Sequence, residues 1–126
     1  MVDEKVGRSS RLLICGSRTW SNEALIRSYL VGLPKDTIVI IGEHWGVDAI
    51  VAKCARELGL KLEIIPNDWF CKGKASEKFR ARLILIEREP TLVFIFDENY
   101  EDNKDSKDMV EACKAYSVPY DLVTSE

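Results

Sequence analysis

The stretch that decides the fold reads Thr37-Ile38-Val39-Ile40-Ile41-Gly42-Glu43-His44-Trp45-Gly46-Val47-Asp48. Its first five residues are all β-branched, which suits a strand that is buried on both faces. From Val47 to Leu58, apolar or small residues recur with helical spacing. We therefore predict a strand, a turn bounded by Gly42 and Gly46, and a helix. Free N–H groups at such a helix start can bind an anion, although the glycines also suit an ordinary strand-to-helix turn.

The same alternation continues on both sides of this stretch. Further apolar strands are predicted over 11–15, 60–66, 91–96 and 118–123. Further helices are predicted over about 22–33, 75–89 and 105–116, with Ser21 or Asn22 capping the first and Asp105 or Ser106 capping the last. Such alternation predicts an α/β fold with an open, Rossmann-like, five-stranded parallel sheet and helices on both faces. We expect the strand order 3-2-1-4-5, with 91–96 beside 11–15.

Length and charge narrow the class of protein. The chain of 126 residues suggests a flexible tail over 1–10 and a single domain over 11–126. A net charge of −3 argues against a general nucleic-acid binder. No apolar run has the length of a membrane span, and the polar N-terminus is no signal peptide, so we expect a cytoplasmic protein. The absence of Gln and the 31% of charged residues are biases seen in thermophile proteins.

The cysteines and the single histidine give no metal-binding pattern. Cys-x-x-Cys spacing does not occur, so a zinc site is not expected, and no motif calls for a cofactor. The sequence leaves open whether any disulfide forms among its four cysteines, which are Cys15, Cys54, Cys71 and Cys113.

Ligands of such sheets bind at the carboxyl ends of the strands, which places four predicted loops at one edge. These loops are 16–20, 42–48, 67–74 and 97–106. In the first loop, Gly16, Ser17 and Arg18 combine a free backbone, a hydroxyl and a guanidinium that can bind a phosphate bidentately. Arg18 can equally be a surface residue of a tight turn. The segment has neither the dinucleotide-binding nor the Walker pattern, which argues against a dehydrogenase or an ordinary ATPase.

Two other residue types in these loops suit a ligand. His44 lies in the glycine turn, where it can donate to a phosphate, act as an acid or base, or simply be solvated. Trp20, Trp45 and Trp69 all fall in predicted loops at the same edge. Their indoles can stack on a base, or form a hydrophobic lid or a dimer contact.

Charge is divided unevenly along the second half of the chain. Residues 71–90 carry a net charge of +3, and residues 97–111 carry −5. The basic segment can steer a phosphorylated ligand toward the site. Alternatively, the two segments are solvated helix faces that pair with each other across a homodimer.

Three elements in this order resemble a known family. They are Leu-Leu-Ile-Cys-Gly-Ser-Arg-Thr-Trp at 12–20, Ile-Gly-Glu-His-Trp-Gly-Val-Asp at 41–48, and Asp-Trp-Phe-x-x-Gly-Lys-Ala-Ser at 68–76. Together they resemble the YspA/YpsA-related branch of the SLOG superfamily, which includes the lysine-decarboxylase-like LOG enzymes and the DNA-processing protein DprA. The similarity covers about residues 11–123. It implies a Rossmann-like fold, a dimer, and a site for a nucleotide or nucleotide-derived ligand.

The resemblance also implies which residues form that site. Carried over, it gives Gly16, Ser17, Arg18, Gly42, Gly46, Asp48, Trp69, Gly73, Lys74 and Ser76, joined by Arg80 from an Arg-Asn pair and by Ser106 from a Gly-Thr motif. We add His44 to this set from its place in the glycine turn. The chain departs from the family at three places. Ala81 replaces the Asn of the pair, Glu43 replaces a second glycine, and Met109 stands where LOG enzymes carry their catalytic Glu, which argues against phosphoribohydrolase activity.

The sequence therefore suggests a small SLOG-like protein that binds a nucleotide-derived ligand. Whether it is also an enzyme stays open. A hydrolase of an N-glycosidic or phosphoribosyl bond would need a carboxylate at the site, for which Asp48, Asp97 and Glu111 are candidates. Single-stranded DNA binding is a third hypothesis, which the acidic balance opposes.

Overall fold

The computed structural model describes residues 10–66 and 77–124. Its strands are β1 (Arg11–Gly16), β2 (Ile38–Ile41), β3 (Lys61–Ile64), β4 (Leu92–Phe96) and β5 (Tyr120–Val123). The α-helices are α1 (Glu23–Leu30), α2 (Val47–Leu58), α3 (Glu77–Arg88) and α4 (Lys104–Ala115), and a 3-10 turn over Tyr100–Asp102 precedes α4. The tail predicted over 1–10 lies outside the described residues except for Ser10.

The strands form one parallel sheet in the order β3-β2-β1-β4-β5. β4 lies beside β1, with Leu13 opposite Val93, so the predicted order and the predicted neighbours are both confirmed. The chain builds one half of the sheet from β1 outward and then returns to place β4 on the other side of β1. The topological switch point therefore lies between β1 and β4.

The β-branched run of the opening stretch becomes the buried strand β2. Val39, Ile40 and Ile41 are at most 1% exposed. Because successive side chains of a strand point to opposite faces, Val39 and Ile41 join the core beneath α1 and α2. Ile40 joins a second core beneath α3 and α4. The sheet is thus covered by helices on both faces, as the sequence predicts.

The helix ends test the capping residues and helix limits that were predicted from the sequence. Asn22 caps α1 by accepting a hydrogen bond from the Leu25 N–H at 3.1 Å, which confirms one of the two predicted caps. α1 ends at Leu30 instead of near Leu33, because the Gly32 to Pro34 segment disfavours helix. The predicted cap of the last helix is wrong. Asn103 accepts from the Asp105 N–H at 3.0 Å, so the helix begins one residue before Asp105.

A cluster of three charged side chains links neighbouring elements toward the amino-terminal end of the sheet. Glu63 accepts hydrogen bonds from Arg11 Nη2 at 3.2 Å and from Arg88 Nη1 at 2.8 Å. Arg11 Nε also donates to the Arg88 carbonyl oxygen at 2.7 Å. Partial burial opposes ionisation of Glu63, but Arg88 and Arg11 outweigh it and hold the pKa of Glu63 below its usual value. The cluster joins β1, β3 and α3.

Glu63→Gln is expected to destabilise the protein by on the order of 1 kcal/mol at neutral pH, because a partly exposed ion pair is lost. Since the folded-state pKa of Glu63 is lowered, the stabilisation is present above the ordinary glutamate pKa of 4.5. It is lost as the pH falls through the lower folded-state value. Urea unfolding of both proteins between pH 3 and pH 7 measures this convergence. Glu87→Gln, at an exposed position of α3, is the matched control and should show no such pH-dependent difference.

Candidate functional site

A cavity of about 110 Å³ opens at the carboxyl ends of β1 and β2, on the face of the sheet that α3 and α4 cover. Its floor is apolar and includes Leu13, Cys15, Ile65, Ile84 and Met109. Polar and charged side chains line the rest, namely Arg18, His44, Asp48, Arg80, Asp105, Ser106 and Asp108. The cavity lies beside the topological switch point, where parallel α/β sheets bind their ligands.

The turn after β1 is built on a close backbone approach to β4. Gly16 has φ +152°, and a Cβ there would lie 1.9 Å from the Phe96 carbonyl oxygen. The next residue, Ser17, donates its N–H to that same oxygen at 2.9 Å. Its hydroxyl accepts the Thr19 N–H at 3.0 Å and lies 2.8 Å from Thr19 Oγ1, so the hydroxyl is used within the turn. Arg18, in contrast, is exposed and lines the cavity.

The turn after β2 packs directly on the turn after β1. Gly46 has φ +70°, and a Cβ there would lie 2.3 Å from the Ser17 carbonyl oxygen and 2.6 Å from the Arg18 Cα. The Val47 N–H, at the start of α2, donates to the Ser17 carbonyl oxygen at 3.1 Å. A glycine is therefore required at position 46 for the two turns to pack this closely. The contact fixes the backbone of Arg18.

Asp48 fills the inside of the β2–α2 turn. Its side chain is 9% exposed. Its Oδ2 accepts from both the backbone N–H and ring Nδ1 of His44, each at 3.2 Å. The same oxygen would lie 2.9 Å from a Cβ placed on Gly42, so the turn closes tightly around the carboxylate. Burial raises the pKa of Asp48, against the opposing effects of the His44 hydrogen bonds and the Arg18 charge.

His44 is thereby held at the wall of the cavity. Its side chain is 33% exposed, and Asp48 fixes the imidazole through Nδ1. An imidazole positioned by a carboxylate can exchange a proton or form a hydrogen bond through its other nitrogen. The structure thus brings together His44, Asp48 and Arg18, which come from two different turns.

Asp97, at the carboxyl end of β4, is fully buried and organises the start of α4. It accepts from Asn99 N at 2.9 Å, from Asn103 Nδ2 at 2.6 Å and from Ser106 Oγ at 2.5 Å. Ser106 therefore lines the cavity while its hydroxyl is donated to Asp97. Of the three carboxylates considered for hydrolysis, Asp48 lines the cavity, Asp97 is engaged in these contacts, and the exposed Glu111 lies 3.9 Å from Lys114.

The predicted site residues fall into three groups. Those that line the cavity are Gly16, Arg18, Gly42, His44, Asp48, Arg80 and Ser106. Ser17 and Gly46 support the turns behind it. Trp69, Gly73, Lys74 and Ser76 lie outside the described residues.

Trp20 is buried and does not face a ligand at the edge where the sequence placed it. Its side chain is 5% exposed and packs edge-on against Phe96, with ring centroids 5.6 Å apart. Its indole N–H donates to the Asn22 carbonyl oxygen at 3.0 Å. The idea of three stacking indoles is therefore wrong for Trp20, which is a core residue. Trp45 is 80% exposed, and Trp69 lies outside the described residues.

The contribution of α4 to the cavity was largely missed. Asp105, Asp108 and Met109 line it. Their i, i+3 and i+4 spacing places them on one helix face, and that spacing was the available signal. Asp108 therefore borders the cavity, although it lies on the polar side of the helix in the sequence. The described charged lining comprises three aspartates and two arginines, so the cavity is not strongly positive.

Cys15 lies in the cavity floor, but its thiol is a poor nucleophile there. Burial, with the nearby Asp48 charge, raises the pKa of its thiol far above the usual value. A protonated thiol is a poor nucleophile, so Cys15 contributes apolar surface. Cys15, Cys54 and Cys113 are free thiols, and Cys71 lies outside the described residues.

The described residues contain neither a candidate metal site nor a candidate membrane-spanning helix. Residues 10–66 and 77–124 contain no group of three or more His, Cys, Asp or Glu side chains that could hold a metal ion. Over the same residues, no helix has the length and apolar character needed to cross a membrane.

Neither models of known protein families nor a search of curated proteins gives a match to this chain.

Gly46→Ala is expected to destabilise the protein by about 2–4 kcal/mol, because it adds left-handed backbone strain and drives a methyl group into the Ser17–Arg18 backbone. Gly32→Ala is the matched control, since a Cβ there would meet nothing within 4 Å. Denaturant unfolding of both variants measures the difference. Equal stabilities would show that the two turns are not in the contact described.

Proposed function

We propose that this chain is a cytoplasmic protein that binds a nucleotide or nucleotide-derived ligand in the cavity at the carboxyl ends of β1 and β2. The observation that carries the proposal is the composition of the lining. An apolar floor suits a base, exposed Arg18 at the mouth suits a phosphate, and carboxylates suit ribose hydroxyls. The motif resemblance points to the same class of ligand.

Arg18 is the residue to which we assign the phosphate. It is exposed, and it directly follows Ser17, whose backbone is bonded to Phe96 and Val47. In the described part of the chain, no carboxylate lies within salt-bridge distance of its guanidinium. A guanidinium that is anchored at its backbone and not already paired can bind a phosphate oxygen at low entropic cost.

Arg18→Ala is expected to weaken nucleotide binding by about 1.5–3 kcal/mol, which is about tenfold to a hundredfold. The measurement is calorimetric titration of a nucleotide panel that includes ADP-ribose and cyclic nucleotides. Arg56→Ala is the matched control, because Arg56 is an exposed arginine in the last turn of α2, at the other end of that helix from the cavity.

Two results would count against this assignment. If no nucleotide binds the wild-type protein below millimolar concentration, the proposed function is wrong. If Arg18→Ala binds as well as wild type, the phosphate lies elsewhere. Release of a free base or a ribose phosphate in the same mixtures would instead identify a hydrolase, for which His44 held by Asp48 supplies an acid–base group.

We also propose that the protein is a homodimer, formed through the outer face of α3. The sequence suggests a contact by charge complementarity between residues 71–90 and 97–111, and within one chain α3 already packs against α4. The stronger argument is apolar exposure on α3, where Phe79 is 48% exposed and Ile86 is 53% exposed.

Ile86→Glu is expected to convert a dimer to a monomer, because a charge would replace an apolar side chain at the contact. Sedimentation velocity at micromolar concentration and low salt measures this. Val31→Glu is the matched control, since Val31 is 64% exposed near the end of α1, on the other face of the sheet. A wild-type protein that sediments as a monomer throughout this range would refute the dimer.

A further inference from the structure

The turn between β2 and α2 carries a carboxylate at the place where its glycines suggest an anion site. The side chain of Asp48 lies inside the turn, within 2.9 Å of the position that a Cβ on Gly42 would take. A phosphate at this turn would therefore have to occupy or adjoin the space of a buried negative charge. Two anions in such close contact repel strongly where water is excluded.

Two backbone donors of the turn are also in use. The His44 N–H donates to Asp48 Oδ2 at 3.2 Å, and the Val47 N–H donates to the Ser17 carbonyl oxygen at 3.1 Å. Anion sites at helix starts depend on converging backbone N–H groups of this kind. With these two donors engaged, fewer backbone N–H groups remain in the turn to bind a phosphate.

Asp48 still has an oxygen to offer. Both hydrogen bonds from His44 end on Oδ2, and within residues 10–66 and 77–124 no donor is bonded to Oδ1. Asp48 lines the cavity, so its carboxylate can accept a hydrogen bond from a ligand there. An ionised carboxylate accepts from hydroxyl and amino groups.

The other charged side chains around Asp48 do not make the β2 side of the cavity positive. His44 is bonded to Asp48 itself, and α4 adds the carboxylates of Asp105 and Asp108. The guanidinium of Arg18 stands at the mouth, and that of Arg80 projects from α3. Positive charge therefore lies beside the β1 turn and α3, while the β2 turn presents a hydrogen-bond acceptor.

We propose that Asp48 makes the β2 side of the cavity a subsite for a hydrogen-bond donor, such as a sugar hydroxyl or an amino group, and excludes phosphate from it. This inference rests on the proposed nucleotide-binding function and narrows its ligand class. A ligand with a single phosphate can place it at Arg18 and turn its sugar toward Asp48. A ligand whose pyrophosphate spans both turns is disfavoured.

The test compares ligands that differ in phosphate number. Wild-type protein is titrated calorimetrically with nucleoside 5′-monophosphates, their 5′-diphosphates and ADP-ribose. We expect the best monophosphate to bind about tenfold or more tightly than the corresponding pyrophosphate compounds, a difference that this method resolves. The comparison uses wild-type protein alone, so it does not depend on whether any variant folds.

Asp48→Asn then tests the residue itself, because it removes the charge and keeps the shape. We expect the preference for monophosphates to fall by about tenfold or more, chiefly through tighter binding of pyrophosphate compounds. Asp36→Asn, which removes an exposed aspartate before β2, should retain the wild-type preference. Thermal unfolding of both variants confirms that each is folded.

The outcomes separate this inference from the function on which it rests. If no nucleotide binds the wild type, the proposed function fails, and this inference fails with it. If nucleotides bind but pyrophosphate compounds bind as tightly as monophosphates, the function stands and the role of Asp48 is wrong. An unchanged preference in folded Asp48→Asn overturns the inference in the same way.

Discussion

The cavity depends on the backbone contact between the turns that follow β1 and β2. Gly46 lies so close to the Ser17–Arg18 backbone that no side chain fits between them, and the Val47 N–H bonds the Ser17 carbonyl oxygen. This contact fixes the start of α2 against the end of β1. It thereby sets where Arg18 and His44 stand relative to each other. Polar side chains from both turns therefore line the same cavity.

A consequence of this close packing is that most polar groups near the cavity already have partners. Asp97 gathers the loop after β4 and the first turn of α4 around a fully buried carboxylate. Asp48 does the same inside the turn after β2. Burying such groups is costly unless they are hydrogen-bonded, and donors accordingly contact both oxygens of Asp97 and Oδ2 of Asp48. The groups left to meet a ligand are fewer than the motifs suggest, and they combine apolar surface, carboxylates and the guanidinium of Arg18.

The sequence by itself determined the architecture. A run of β-branched residues such as Thr37 to Ile41 can be stable only if both faces are covered, and the alternating helical segments supply that cover. Right-handed crossovers then leave little choice of strand order, and the order 3-2-1-4-5 is found. The sequence also indicated the edge at which polar loops meet, because that edge follows from strand direction alone. Seven of the predicted site residues do line one cavity.

Only the tertiary structure decided how each of those residues is used. Ser106 gives its hydroxyl to a carboxylate nine residues away, and Ser17 bonds a carbonyl of another strand. Trp20 is buried against Phe96, although its neighbours in sequence suggest a loop. The faces of α4 that enter the cavity depend on the rotation of that helix, which packing against α3 and the sheet sets. Local sequence specifies backbone conformation and burial tendency, but a hydrogen-bond partner from a distant segment appears only when the chain has folded.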